Sequence, residues 1–361
     1  MRIVCVVGTR PNMVKMAPVI GALRRRFPDW RTVTVHTGQH YDRLMSEVFL
    51  EELDMPEPDH VLGVGSGSHA EQIARVLERF RPVLSEEEPD LVLVPGDVNS
   101  TLGAALCADK MEVAVGHVES GLRSFDRSMP EETNRIATDH ISALCFLHSE
   151  EAIENLRAEG VGDERMKFVG NTMIDSLVAL ETLIRDRGAA ASLGIEPGSY
   201  VLVTLHRPAL VDGPLLADAM DSLSAVAREL PVVFPVHPRT RKMLGGVDYP
   251  GVTLTAPVGY LDFLSLESEA AAVLTDSGGI QEETTYLGIP CFTLRDNTER
   301  PVTIRSGTNT LLGLDPRRIA EIPALLRTRA SAGRDGAEEP ESPELWDGRA
   351  AERVADVLAD W

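Results

Sequence analysis

Short β-like runs in this chain end on residues able to bind anions or move protons. The run Arg2 to Val7 leads into Gly8-Thr9-Arg10-Pro11, with Lys15 one turn further on. Leu91 to Val94 leads into Pro95-Gly96-Asp97, and Val113 to Val118 into His117-Val118-Glu119. Two cations, Arg10 and Lys15, and two carboxylates, Asp97 and Glu119, thus fall at carboxyl ends of strands, where open parallel sheets bind ligands. A second set follows: His206-Arg207, His237-Pro238-Arg239, and Asp276-Ser277-Gly278-Gly279 ahead of Ile280-Gln281-Glu282-Glu283. The last is a small-residue turn opening a helix. Free backbone N–H groups and the positive end of the helix dipole make Ser277, Gly278 and Gly279 a cradle for a diphosphate. Arg300, in Thr298-Glu299-Arg300-Pro301, adds a candidate phosphate contact, and Glu283 is placed one helical turn in, suited to a ribose hydroxyl. Asp97 and Asp276 have a second reading as helix N-caps, and His206 or His237 as strand-end histidines satisfied within the fold. Their joint placement at strand ends in both halves favours chemistry.

These residues need a scaffold that repeats. Arg2 to Val7, Arg31 to Thr37, Leu91 to Val94 and Val113 to Val118 alternate with amphipathic or Ala/Leu-rich segments, the signature of a parallel α/β sheet. In the first helix Met13, Met16, Ala17, Ile20 and Leu23 share one face, Arg24 to Arg26 sit near its C-terminal end, and Pro18 leaves its start open by a turn. After Gly170 the pattern restarts with a helix from about Met173, strands near Tyr200 to Leu205, Val232 to Val236 and Ala272 to Thr275, and an apolar run Pro290 to Leu294. The expectation is therefore two Rossmann-like α/β domains, 1–169 and 170–343. Arg327 to Pro343 reads as a solvated connection to a last helix carrying Ala351, Val354, Leu358 and Trp361 on one face, and this helix, 344–361, is expected to pack back on the first domain.

Composition removes several classes. Across 361 residues, 43% are hydrophobic and 25% charged, the globular range, with length for two cores. No stretch approaches the roughly 20 apolar residues of a membrane span. The N-terminus lacks the pattern of a secretory signal, which points to the cytoplasm. The four cysteines lie singly in apolar segments, as reduced core thiols do, not as a disulfide framework or zinc site. A net charge of -21 disfavours nucleic acid and anionic membrane as partners, though a small polyanion is still bound wherever local cations reverse the field. Two apparent motifs are set aside. Gly63-Val64-Gly65-Ser66-Gly67 lacks the full dinucleotide spacing and a strand leading into it, so it is read as a flexible helix-entry loop. His36 and His40 span a strand end and a turn, not one helical face, and no metal is expected there.

In order along the chain stand GTRP with Lys15, TGQHYD from Thr37, PGDVNST from Pro95, GHVESGLRSFDR from Gly116, PEETNR from Pro130, GNTMID from Gly170, DSGGIQEE from Asp276 and RDNTERP from Arg295. Together they resemble the motifs of the non-hydrolysing UDP-N-acetylglucosamine 2-epimerases, over nearly the whole chain. The resemblance implies a GT-B-like fold with the active-site cleft between two domains that close on the ligand, a C-terminal helix crossing back to the first domain, and a homodimer. It implies anti elimination of UDP to a 2-acetamidoglucal and re-addition after protonation of C2 on the other face, with no cofactor. Asp97, Glu119 and Glu131 are carried over as acid/base carboxylates, one of them expected to have a raised pKa, and His206 as facing them near the diphosphate. Which carboxylate takes the C2 proton stays open. Arg10, Lys15, Arg135, Ser277, Gly278, Gly279 and Arg300 are carried over as substrate-binding, with Glu283 on the ribose and Val258 to Phe263 near uracil.

The chain departs from the family pattern at Pro208-Ala209-Leu210, where many members have Arg-Glu-Asn, at Asp42 and at Val302. The first two bear on activation by a second UDP-N-acetylglucosamine, which stays open. Relatives sharing TGQHYD and LRSFDR include enzymes for modified sugars such as diacetamido uronic acids. A hydrolysing epimerase or a GT-B glycosyltransferase keeps the same fold and ligand, and a non-catalytic UDP-sugar sensor is the rival from another class.

Overall fold

The computed structural model describes residues 1–38, 49–206, 208–211, 213, 215–247, 249–334 and 341–361. The chain divides into two compact units, Met1–Ala179 with Glu344–Trp361, and Leu180–Pro343. The sequence reading put the division ten residues earlier; here it falls inside the helix Thr172–Arg187.

The first unit is built on a seven-stranded parallel sheet, with β1 Arg2–Val7, β2 Arg31–His36, β3 His60–Val61, β4 Leu91–Pro95, β5 Ala114–Ser120, β6 Leu144–Leu147 and β7 Met166–Phe168 in the order β3-β2-β1-β4-β5-β6-β7. Strands buried on both faces read as continuous apolar runs, and Ile3 to Val7 and Leu91 to Val94 are almost wholly buried. The order reverses between β1 and β4, so the crevice beyond their carboxyl ends is this unit's switch point. The short β3 corrects the reading of Gly63 to Gly67, since a strand does lead into that loop. Its far end is fixed by a capping box, Ser68 with Glu71, that opens the helix His69–Glu87.

The first helix runs from Arg10 to Arg26 without a break at Pro18. Proline has no N–H to offer the carbonyl four residues before it, which normally breaks a helix. Here the orphaned Val14 carbonyl accepts from Ser176 Oγ at 2.6 Å. The C-terminal helix Ala350–Asp360 packs on this first helix: Ala351, Val354 and Leu358 are buried, and Glu352 pairs with Arg25 and Arg26. Its leading N–H groups, of Ala350 and Ala351, donate to the Asp175 carboxylate at 3.0 and 2.6 Å. Burial pushes the Asp175 carboxyl up to about 6, against the opposing pull of those two amides. Trp361, expected on the buried face, is half exposed because it lies beyond the last helical residue.

The second unit holds a six-stranded parallel sheet of β8 Val201–Thr204, β9 Val232–Pro235, β10 Val252–Thr255, β11 Ala272–Thr275, β12 Cys291–Thr293 and β13 Asn309–Leu311, ordered β10-β9-β8-β11-β12-β13. Its switch point lies between β8 and β11. The expected solvated stretch from Arg327 is helical as far as Arg334, as the end of the helix Ile322–Arg334. Among the described residues no helix is long and apolar enough to cross a membrane.

Candidate active site

In the first unit the switch point is crowded with polar groups. Asn12, one turn into the helix after β1, donates from Nδ2 to the Pro95 carbonyl at 3.2 Å. Lys15, also buried, forms an ion pair with Glu119, Nζ to Oε2 at 2.5 Å. Glu119 lies in the left-handed region at φ +67, at a register shift between β5 and β6. A bulge of this kind re-aims one side chain, and a non-glycine residue persists in that region only where its surroundings hold it. Asp97 follows Gly96, itself at φ +61, and its carboxylate is ion-paired with the buried Arg135 guanidinium. Arg135 also donates to Glu132 at 2.6 Å, and Asn134 donates to the Asp97 carbonyl at 2.9 Å.

The start of the helix Pro130–Ile141 separates the roles of two adjacent glutamates. Glu132 is buried and accepts from Ser124 N, Ser124 Oγ and Phe125 N at 2.9 to 3.0 Å, which pins the loop after β5. Glu131 is only half-buried, on the helix's first turn. The N-cap reading of Asp97 does not hold, because the helix Asn99–Lys110 has Val98 at its N-cap.

In the second unit Asp276, fully buried after β11, reaches across the switch point to His206 after β8. It accepts from His206 N at 3.0 Å and lies 2.7 Å from Nδ1, while the imidazole is 62% exposed. In that contact Nδ1–H donates to the Asp276 carboxylate, which leaves Nε2 as the free ring nitrogen. The cap of the helix Gly278–Leu287 is Ser277, so Asp276 is not a cap either. Arg300 packs at this helix start, where a Cβ on Gly278 would overlap its guanidinium. It is paired with Glu282 at 2.9 Å and Glu299 at 2.6 Å, and Arg295 shares Glu299 at 2.6 Å. Glu283 is buried and accepts from the Tyr260 hydroxyl at 3.1 Å. Burial pushes its carboxyl up to about 7, with Tyr260 opposing and Glu282 adding. Glu267, fully buried, is held well above the carboxylate range by burial and then by Glu283.

The fold thus brings Lys15, Asp97, Glu119 and Arg135 together in one unit, and His206, Ser277, Gly278, Gly279, Glu283 and Arg300 onto neighbouring strand ends of the other. Arg10 is exposed, with its guanidinium 6.0 Å from the Phe49 ring centroid. Val258 and Phe263 pack against the same apolar cluster as Ile280, two residues into that helix. Arg207, His40 and Asp42 lie outside the described residues. His36 accepts from Gly38 N at 2.9 Å and burial pushes its pKa down to about 4. Sequence reasoning gave no role to Glu132 or to the buried set His117, Arg123 and Asp139, and it named Tyr260 only within the segment Val258 to Phe263; His117 and Arg123 stand inside GHVESGLRSFDR, which was the available signal.

Two parallel sheets, each with its polar groups gathered at its own switch point, define the class: an α/β protein of GT-B type. A family model described as UDP-N-acetylglucosamine 2-epimerase matches residues 22–359. The chain belongs to that family and is an isomerase. It is 42% identical to a UDP-N-acetylglucosamine 2-epimerase of Methanococcus maripaludis, over 87% of this chain and 88% of the relative. It is 38% identical to the UDP-2,3-diacetamido-2,3-dideoxy-D-glucuronate 2-epimerase of Pseudomonas aeruginosa, over 99% of each. The crystal structure of the Methanocaldococcus jannaschii UDP-GlcNAc 2-epimerase in complex with UDP-GlcNAc and UDP superposes with a TM-score of 0.87 at 36% identity, over the whole of both chains.

Proposed function

We propose that this chain interconverts UDP-GlcNAc and UDP-ManNAc without hydrolysis. The C2–H bond and the bond from C1 to the UDP oxygen break on opposite faces, giving 2-acetamidoglucal and UDP. UDP then adds back at C1 as a proton arrives at C2 from the other face. Each step moves a proton and the UDP group and none moves a hydride, so the proposal includes no hydride carrier.

The observation that carries it is the pair Asp97 and Glu119 at the carboxyl ends of neighbouring strands, each against its own cation. Removing a proton from one face and returning one to the other needs more than one acid/base group, and positioned carboxylates suit both steps. Asp97, Glu119 and the half-buried Glu131 take those roles, with Lys15 and Arg135 orienting the first two. In the second unit the helix start at Ser277, Gly278 and Gly279 takes the diphosphate, with Arg300 beside it. His206, its Nδ1 turned to Asp276, presents Nε2 to the departing UDP. Glu283 takes the ribose hydroxyls, and Val258 to Phe263 lies near the uracil. Arg10 adds a cation for the substrate. A homodimer belongs to the same reading and is checked by light scattering.

The test is proton NMR of the purified protein with UDP-GlcNAc in deuterated water. UDP-ManNAc carrying deuterium at C2, with UDP retained, is the expected result. Free sugar and UDP as the end products would replace this reading with a hydrolysing one. The match to the P. aeruginosa relative over 99% of both chains favours one second reading, a 2-epimerase of a modified UDP-HexNAc. Turnover of a UDP-diacetamido uronic acid with no turnover of UDP-GlcNAc would select it.

A further inference from the structure

Beneath Asp97 and Glu119 lies a buried charged chain with no place in the roles above. His117, on β5, has no exposed side-chain surface. Its Nε2 lies 2.7 Å from the Gly96 carbonyl and its Nδ1 2.6 Å from Asp139 Oδ1. A carbonyl only accepts, so Nε2 carries a proton. Asp139 Oδ2 accepts from Gly121 N at 3.1 Å and from Arg123 Nη1 at 2.7 Å. Arg123 is anchored in turn by a bidentate pair with Glu159, at 2.7 and 2.6 Å. Gly96 N donates to the Val118 carbonyl at 2.9 Å.

The chain therefore grips two turns at once. One is Gly96-Asp97, after β4. The other is Glu119-Ser120-Gly121, at the carboxyl end of β5. Gly96, Glu119 and Gly121 all have positive φ, at 61°, 67° and 81°. The two glycines adopt such backbone freely, whereas Glu119 keeps it only where the surroundings hold it. Both turns hang, directly or through one imidazole, on the single carboxylate of Asp139. We propose that His117, Asp139 and Arg123 are positioning residues that fix the separation of the Asp97 and Glu119 carboxylates for proton transfer at the substrate, a role that rests on the acid/base reading of those two residues. Burial would raise the Asp139 carboxyl, but His117 and Arg123 outweigh it and hold it below its ordinary value, so the grip is an ionic one. A buried ion pair contributes little net stability by itself, which makes placement of the two turns the more economical account of it.

The test uses Asp139→Asn and Arg123→Lys in the full chain, with UDP affinity and circular dichroism as controls for folding. For the folded variants kcat should fall by roughly 10²-fold, the scale of a misplacement of about 1 Å, with KM within about threefold. Amide hydrogen exchange should accelerate together at Gly96–Val98 and at Ser120–Leu122, and not in the second unit. Unchanged kcat per folded molecule with unchanged exchange at both turns would overturn the proposal, as would a drop in melting temperature alone. Should Asp139→Asn fail to fold, Arg123→Lys is read by the same criteria. If the wild type turns over no UDP-HexNAc, the acid/base reading fails; exchange at the two turns still decides whether this chain holds them.

Discussion

At the first unit's switch point the carboxylates meet cations: Glu119 lies on Lys15 and Asp97 on Arg135. In the second unit Glu283 meets the hydroxyl of Tyr260, and burial raises both it and Glu267. Ion pairs fix charge and geometry together, which suits groups that must hand over a proton along one line. A carboxyl near 7 both donates and accepts, which suits a ribose hydroxyl. The second unit also holds fixed charge, in the pairs of Arg300 with Glu282 and Glu299, so what sets it apart is the raised carboxyl of Glu283; this contrast suits the proton transfer proposed for the first unit and the nucleotide holding proposed for the second.

The largest expected effect comes from Glu119→Gln. Turnover should fall by about 10³-fold, within the range for a general acid or base, while calorimetric UDP affinity stays within about twofold. An equal loss of UDP affinity would break the division between the units. Gly278→Ala is the converse, since its methyl group meets the Arg300 guanidinium. UDP affinity should fall by about tenfold, equivalent to roughly 1.4 kcal/mol, with kcat at saturation nearly unchanged. Asp276→Asn, which loosens the imidazole, should lower kcat several-fold and leave the melting temperature within a few degrees.

The smallest effect is on stability against pH. The unfolded chain releases the Glu283 proton near 4.5 and the folded one near 7. The folded state therefore binds more protons across that window, and stability falls as pH rises through it. Glu283→Gln removes this penalty, so its melting temperature should fall less between pH 5 and pH 8 than that of the wild type. Identical slopes would remove the raised carboxyl from the comparison.

Much of this was legible in the sequence, and the exceptions have physical causes. Strand ends were readable because buried parallel strands are continuous β-branched runs, and Asp97, Glu119, His206 and Gly278 all stand within three residues of such an end. The left-handed backbone at Glu119 was not, because glutamate has no preference for positive φ and only the bulge against β6 puts it there. Pro18 obscured the first helix because its remedy, Ser176, is 162 residues from Val14. The sequence placed Asp97 and Glu119 at neighbouring strand ends, but pairing partners cannot be read from spacing. Arg135 and Lys15 separate Asp97 from Glu119 by claiming one each.

The return of residues 344–361 to the first unit has a consequence for how the protein is made. The layer over the first helix lacks Ala351, Val354 and Leu358, and Asp175 lacks the amides it caps, until those residues have been synthesised. Leu180–Pro343 is complete in sequence before then. The usual N-terminal-first order of completion does not hold for this chain: the second unit has its whole sequence available while the first still lacks the helix Ala350–Asp360.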